Sequence, residues 1–410
     1  MFRKQRLAVL LFLLLSVSGC SDKSQENLYN TNKLQESSQN IEDNRKEQPQ
    51  RPNGMEDVQA IAKTCQDIQK AAVEHEALGD FEVMQNIINR LGEQGYAAVD
   101  CENQIDMAGA EQVEEFCRQV EAKETADITI IVIFYDGGFK KYDLTTKEGS
   151  VNITEGYYTY KNGSLESLST TSYPAYSWRY TEEGYLFFEQ YHMPGFDGPS
   201  GHTAIRVQPL DETCRELNRK YMLPIGYKCN NMFLLNWNEN NFGELNFYDL
   251  FDVLYPEVYG QPLPYVADEN CGVGAIYRIP REEFEKVIMS RFRIDSETLQ
   301  TKTTYFPQDE SYEYRPRGLY DCEPPSYPYP EVVGYKENND NTITLTVNVV
   351  YPDNNTSKVY AHEVVVRPLA DGSFQYVSNQ VIPSENNQQE SWHINRLTKE
   401  EWEAFYGGAQ

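Results

Sequence analysis

Ile128-Thr-Ile-Ile-Val-Ile-Phe-Tyr135, closed by Asp136-Gly-Gly138, is the stretch on which the reading of this chain turns. A continuous apolar run of this length, ended by a glycine turn, predicts a strand buried on both faces. Downstream, Lys147-Glu-Gly149, Asn162-Gly163 and Glu182-Glu-Gly184 repeat the turn signal between short segments rich in Tyr, Thr and Phe. That pattern predicts an antiparallel meander whose last strand covers 185–191. Upstream the period changes to helical. Ile61, Cys65, Ile68 and Ala72 form one apolar stripe and Phe81, Met84, Ile88 and Leu91 a second, with Gly79-Asp80 as the break between them. A short strand over 95–100 and a helix over 110–122, through Val113, Phe116 and Val120, fill the interval.

The loop 192–202 carries Pro194, Gly195, Gly198, Pro199 and Gly201 and is expected to be irregular. After Pro209 the pattern predicts helices over 212–221, 245–254 and 281–291, and then strands. Ile343, Leu345, Val347 and Val349 alternate with polar residues, and 359–367 pairs with 374–382 across Asp371-Gly372. Glu323-Pro-Pro-Ser-Tyr-Pro-Tyr-Pro330 must be extended, as a connector or as a ligand for an aromatic groove. The fold class is therefore α+β: N-terminal helices and an antiparallel β-meander over 55–208, then a helix-plus-antiparallel-sheet domain over 209–410.

Composition narrows function. With 63 acidic against 36 basic residues and a formal charge of −27, the chain repels a phosphate backbone, so no nucleic-acid partner is expected. Forty per cent hydrophobic residues, 18 Phe and 30 Tyr exclude wholesale disorder, and a mean hydropathy of −0.64 with one apolar run excludes a multi-span membrane protein. That run, 7–17, follows Arg3, Lys4 and Arg6 and is too short to span a bilayer. It ends in Val17-Ser-Gly-Cys20, which resembles the lipobox of bacterial lipoproteins. The resemblance implies a signal peptide over 1–19, acylation of Cys20, and a protein tethered to the lipid bilayer on the extracytoplasmic face of the cell membrane. Residues 20–54 are polar and read as a spacer, reaching about 30 Å on average, or as a partner-binding segment.

Residues that could carry chemistry do not form a complete set. Of the eight cysteines, Cys20 is the expected lipid site; the other seven show no metal-type pairing and read as buried, unpaired thiols before a disulfide framework, in which Cys214 with Cys229 is the pair to test first. His192, Asp197 and His202 share one loop, but their spacing matches no helical zinc motif. Gly198-Pro-Ser-Gly-His202 approximates a nucleophile elbow, but His202 replaces the last glycine and Ser200 follows no evident buried strand, which rejects it. Asn236-Trp-Asn-Glu-Asn240 has alternate oxygen ligands but lacks the glycine and glutamate of a calcium loop. His362 shares a strand face with Tyr360, Val364 and Val366 and reads as a hydrogen-bonded core residue. No phosphate loop or other cofactor motif is present, so no cofactor is expected. The meander is unusually aromatic, and Tyr176, Trp178 and Tyr180 would either pack the sheet or stack on a glycan or peptide.

Three further runs, from Pro209-Leu-Asp211 through Tyr221-Met-Leu-Pro-Ile-Gly-Tyr227, Leu245-Asn-Phe-Tyr-Asp-Leu-Phe251 and Pro330-Glu-Val-Val-Gly334, resemble a family of uncharacterised bacterial lipoproteins defined as a domain of unknown function. It assigns no catalytic residue. The order of helices and long strands after Pro209 is similar to nuclear-transport-factor-2-like domains. Two functions fit these residues: a non-enzymatic module binding a glycan, peptide or protein at the cell envelope, or an extracellular hydrolase acting on wall or glycan material.

Overall fold

A computed structural model describes residues 54–161, 164–196, 198, 200–267, 274–323, 326–385, 387 and 392–407. The signal segment, Cys20, the spacer up to residue 53, Asn162-Gly163, Asp197, Cys271 and Pro324-Pro325 lie outside these residues. The chain divides into Met1–Asp57 and Val58–Gln410; the first turn of α1 (Gly54–Thr64) is the described part of the former, and every later element belongs to the latter. The first expected helix is interrupted at Cys65 (φ −108°, ψ 4°), beyond which α2 (Gln66–Glu74) starts. From it Gln69 Nε2 donates to the carbonyl of Gly137, 3.0 Å away, in the turn that ends the apolar strand. The helix α3 (Phe81–Glu93), strand β1 (Ala97–Asp100) and helix α4 (Ala110–Glu121) come next in the chain.

The deciding stretch is β2 (Ala126–Ile133). It is buried on both faces because helices cover both. Ile130 and Val132 pack with Val113, Phe116 and Val120 of α4, while Ile131 and Ile133 pack with Met84, Ile88 and Leu91 of α3. Its partner on one side is β1, paired in parallel, so that β1, α4 and β2 make a crossover unit ahead of the meander. On the other side β3 (Phe139–Lys147), β4 (Ser150–Lys161) and β5 (Ser164–Pro174) run antiparallel in sequence order. Pro174 ends β5 and with it the meander. The next strands, β6 (Ser177–Tyr180), β7 (Tyr185–Glu189) and β8 (His202–Arg206), form a separate antiparallel sheet with β8 at its edge.

The second half opens with α5 (Glu212–Leu217), prolonged by a π turn over Asn218–Met222. Next come β9 (Trp237–Asn238), α6 (Phe247–Tyr259), β10 (Tyr277–Pro280), α7 (Arg281–Met289), α8 (Ser296–Thr301), β11 (Tyr305–Phe306) and β12 (Ser311–Tyr314). Strands β13 (Tyr329–Glu337), β14 (Ile343–Val350), β15 (Ala361–Pro368) and β16 (Phe374–Val381) make an antiparallel sheet extended by β9, and α9 (Lys399–Tyr406) closes the described chain. The alternation in β14 puts Leu345, Val347 and Val349 into the core beside Phe251, Phe284 and Tyr376. The architecture is α+β. The buried residues of the largest apolar cluster run from Cys214 onward, and those of two others end before Gln208. A small cluster of Tyr185, Phe187 and Val350 joins the two sides.

His362 is fully buried on β15. Asn379 donates through Nδ2 to the Leu235 carbonyl, so its Oδ1 faces the His362 Nδ1–H at 2.7 Å, and Nε2 accepts from the Tyr227 hydroxyl at 2.7 Å. Burial holds the imidazole neutral, with its pKa pushed down to about 4. An unfolded chain takes that proton near pH 6.5, so between the two values the unfolded state binds more protons and stability rises with pH. This one group removes about 3 kcal/mol between pH 7 and pH 4. Urea unfolding of the wild type and His362→Gln across that range should therefore converge as the pH falls; parallel curves would rule the buried neutral histidine out.

Candidate functional site

The site grows from the edge of the second sheet. In β7 and β8 the pairing Glu189↔His202 to Tyr185↔Arg206 gives each face a different neighbour. Leu186, Phe188 and Ile205 pack on the first sheet, whereas Tyr185, Phe187 and Ala204 turn toward Tyr329 and Val350 of the second half. Val207 and Gln190 donate across to the Gly184 and Gly201 carbonyls, which means that Thr203 and Ile205 spend their backbone groups on β7. His202, Ala204 and Arg206 therefore point theirs off the sheet. Asn103 lies along that edge, its Nδ2 donating to the Ala204 carbonyl at 3.1 Å and its Oδ1 accepting from the Arg206 N–H at 2.8 Å.

A cleft of about 270 Å³ runs beside the edge, between the ends of β1, β2 and β3 on one side and Tyr329 and Pro352 on the other. Lys140 from β3 lines it and makes no ion pair among the described residues; its ammonium lies 5.8 Å from the ring centre of Tyr142. The Asp100 carboxylate is already occupied, accepting from the backbone of Glu102 (3.1 Å), Gln104 (3.0 Å) and Ile105 (2.8 Å). Burial pushes the neighbouring Cys101 thiol far up, and the Asp100 and Glu102 charges add to this, so the thiolate that a nucleophile requires is suppressed. His202 sets Nε2 3.7 Å from Glu189 Oε1, while its Nδ1 is buried without a hydrogen-bond partner among the described residues.

The loop that enters β8 at His202, one end of the cleft lining, carries exposed aromatic side chains and is its rim. Gly201 admits no Cβ against the Gln190 carbonyl and the His192 ring, so that ring lies against the residue that precedes His202. His192 stacks on Phe196 (4.1 Å, 3°), and Tyr191 lies 5.1 Å from Tyr176. Tyr176 is 64% exposed, Tyr191 54%, Met193 74% and Phe196 52%. A loop rich in proline and glycine cannot turn these side chains into a core.

The three aromatic candidates separate. Tyr176 belongs to the exposed rim, but Trp178 packs edge-on against Phe116 (5.8 Å) and stacks on Phe188 (6.1 Å). Tyr180 donates to Glu114 Oε1 (3.2 Å), so they do not form one stacking face. Ser200 Oγ bonds to Asp353 Oδ1 (3.0 Å) instead of to a histidine, which removes the elbow reading. Cys214 and Cys229, the pair singled out for test, both carry free thiols. Among the described residues no group of three His, Cys, Asp or Glu side chains could hold a metal. Lys140, Asn103 and Thr203 went unread in the sequence. Met193 and Phe196, apolar residues inside a loop unable to bury them, were the available signal.

No curated protein and no solved structure matches the chain. A family model does, over residues 52–396, and on that match the chain belongs to a family of unknown function (DUF6070).

Proposed function

We propose that this protein is a membrane-anchored lipoprotein of the extracytoplasmic envelope that acts by non-covalent binding, with its ligand held in the β8 cleft and against its aromatic rim. The observation that carries the binding reading is the exposure of Tyr191, Met193 and Phe196 on the loop that enters β8, with Tyr176 against Tyr191. Single exposed apolar residues are ordinary on a protein surface, but a grouped set beside a cleft is a contact surface. The suppressed Cys101 thiolate and the bonded Ser200 favour binding over hydrolysis. The lipid anchor rests on the apolar run and Cys20; no described helix is long and apolar enough to cross a membrane.

One experiment tests both parts. Full-length protein in detergent is incubated with a cell-wall digest, which presents glycans and short peptides together. Tyr191→Ala combined with Phe196→Ala is expected to lower retention about tenfold or more without moving the thermal midpoint. Cys20→Ala expressed in cells should lose fatty-acid labelling and leave the membrane fraction. Steady release of smaller fragments would replace the binding reading with hydrolysis, and labelling that survives Cys20→Ala would place the anchor elsewhere.

A further inference from the structure

The free edge of β8 already holds one amide. Asn103 supplies an N–H to the Ala204 carbonyl and a C=O to the Arg206 N–H, the couplet that one residue of an added parallel strand would make. Two residues earlier the couplet repeats, as the His202 carbonyl and the Ala204 N–H. Neither has a hydrogen-bond partner among the described residues, and His202 through Ile205 all line the cleft. Successive residues of a strand face opposite ways, so a cleft touched by four in a row runs along the edge of the strand. An edge left open in this way is a template for another chain.

We propose that the cleft takes an extended peptide segment by strand addition, one of its residues donating its N–H to the His202 carbonyl and accepting from the Ala204 N–H, with a carboxylate of the same peptide on Lys140. Main-chain bonds then supply affinity, and the wall residues select side chains. Among the charged groups of the cleft Asp100 is bonded to three backbone N–H groups, which leaves Lys140 as the group that meets a ligand charge. His192 and Phe196 on the rim lie beside the His202 end of the edge, where the peptide would enter. The inference rests on the binding function proposed for this cleft and names its ligand class.

The probes are pools of acetylated hexapeptides of mixed sequence with one Asp at a fixed position, made as free acids and as C-terminal amides, and an amidated pool with Asn in its place. They are titrated against the full-length protein in detergent. Tighter binding of the Asp pools than of the Asn pool is expected, and the free-acid against amide comparison shows whether the carboxylate is terminal or on a side chain. Ala204→Pro removes the N–H at an edge position where the sheet tolerates proline, and should lower affinity about tenfold or more. Ala204→Ser keeps the N–H and should bind as wild type. Lys140→Gln should erase the preference for acidic pools. If Ala204→Pro fails to fold, slowed amide exchange over residues 202–206 of the unaltered protein on adding a pool is the readout. Unaltered binding by folded Ala204→Pro, no slowing at 202–206, or no binding by any pool overturns the proposal. If loss accompanies only the rim variants, strand addition is wrong and the binding function still stands.

Discussion

Asp249→Ala is expected to destabilise the folded protein by about 3–5 kcal/mol, because it strands the Arg317 guanidinium and takes from buried Arg396 one of its two carboxylates. Asp249 stands in the first turn of α6 and is 1% exposed. Its Oδ1 accepts from Arg317 Nε (2.9 Å) and Arg396 Nη1 (2.8 Å), and its Oδ2 from Arg317 Nη2 (2.8 Å). Arg396 has a second carboxylate, Asp252, at 3.0 Å, and donates to the Arg315 carbonyl at 2.8 Å; Arg317 reaches the carbonyls of Asp321 and Ile394. The carboxylate thus ties α6 to the segments before β13 and before α9. With Ala in place, Arg317, whose side chain is 10% exposed, keeps only neutral acceptors, and its desolvation is no longer offset. A loss of this size is a large share of the about 5–15 kcal/mol that holds most domains folded. Urea unfolding measures it, with Asp249→Asn as the control that keeps shape and removes charge. A loss below about 1 kcal/mol for the alanine variant would show that the guanidiniums find other partners.

Glu331→Ala is expected to cost a comparable amount, about 3–5 kcal/mol, at the seam between the two halves. Glu331 lies on β13 with its Oε2 2.8 Å from Arg206 Nη1 and its Oε1 accepting from the Tyr185 hydroxyl at 2.7 Å. Burial raises its pKa, against the pull of Arg206 and Tyr185. Arg206 also donates to the Gln208 carbonyl (2.9 Å), and its guanidinium lies 5.1 Å from the Tyr185 ring centre. The seam therefore depends on a buried polar network alongside one small apolar cluster. Removing one partner is costly, while Glu331→Met with Arg206→Met should recover most of the loss, since apolar side chains need no partner. Limited proteolysis near Gln208 should rise in Glu331→Ala and fall back in the double variant. A single variant as stable and as protected as the wild type would mean that the seam does not depend on this pair.

What could be read from the sequence was what a few neighbouring residues determine among themselves. The apolar run is a strand through Ile133 because its side chains, Thr129 apart, leave no polar face, and the alternation through Ile343, Leu345, Val347 and Val349 marks a strand with one face inward. His362 reads as core from the same alternation. The break of the first helix at Cys65 was not readable, because its apolar stripe continues across Cys65 and Gln69 turns toward the distant Gly137 carbonyl. Nor was the parallel pairing of β1 with β2, which depends on α4 packing back over the sheet. Trp178 and Tyr176 sit two places apart in one aromatic run, yet one meets Phe188 and the other meets solvent. The cleft is the extreme case. Asn103 meets Ala204 at a separation of 101 residues and Tyr329 at 226. Hydrophobic periodicity determined the elements and the faces they bury, because it records each residue's local exposure. Only the packing of three sheets decided which polar groups converge at the β8 edge, because that depends on contacts between segments whose sequences carry no trace of one another.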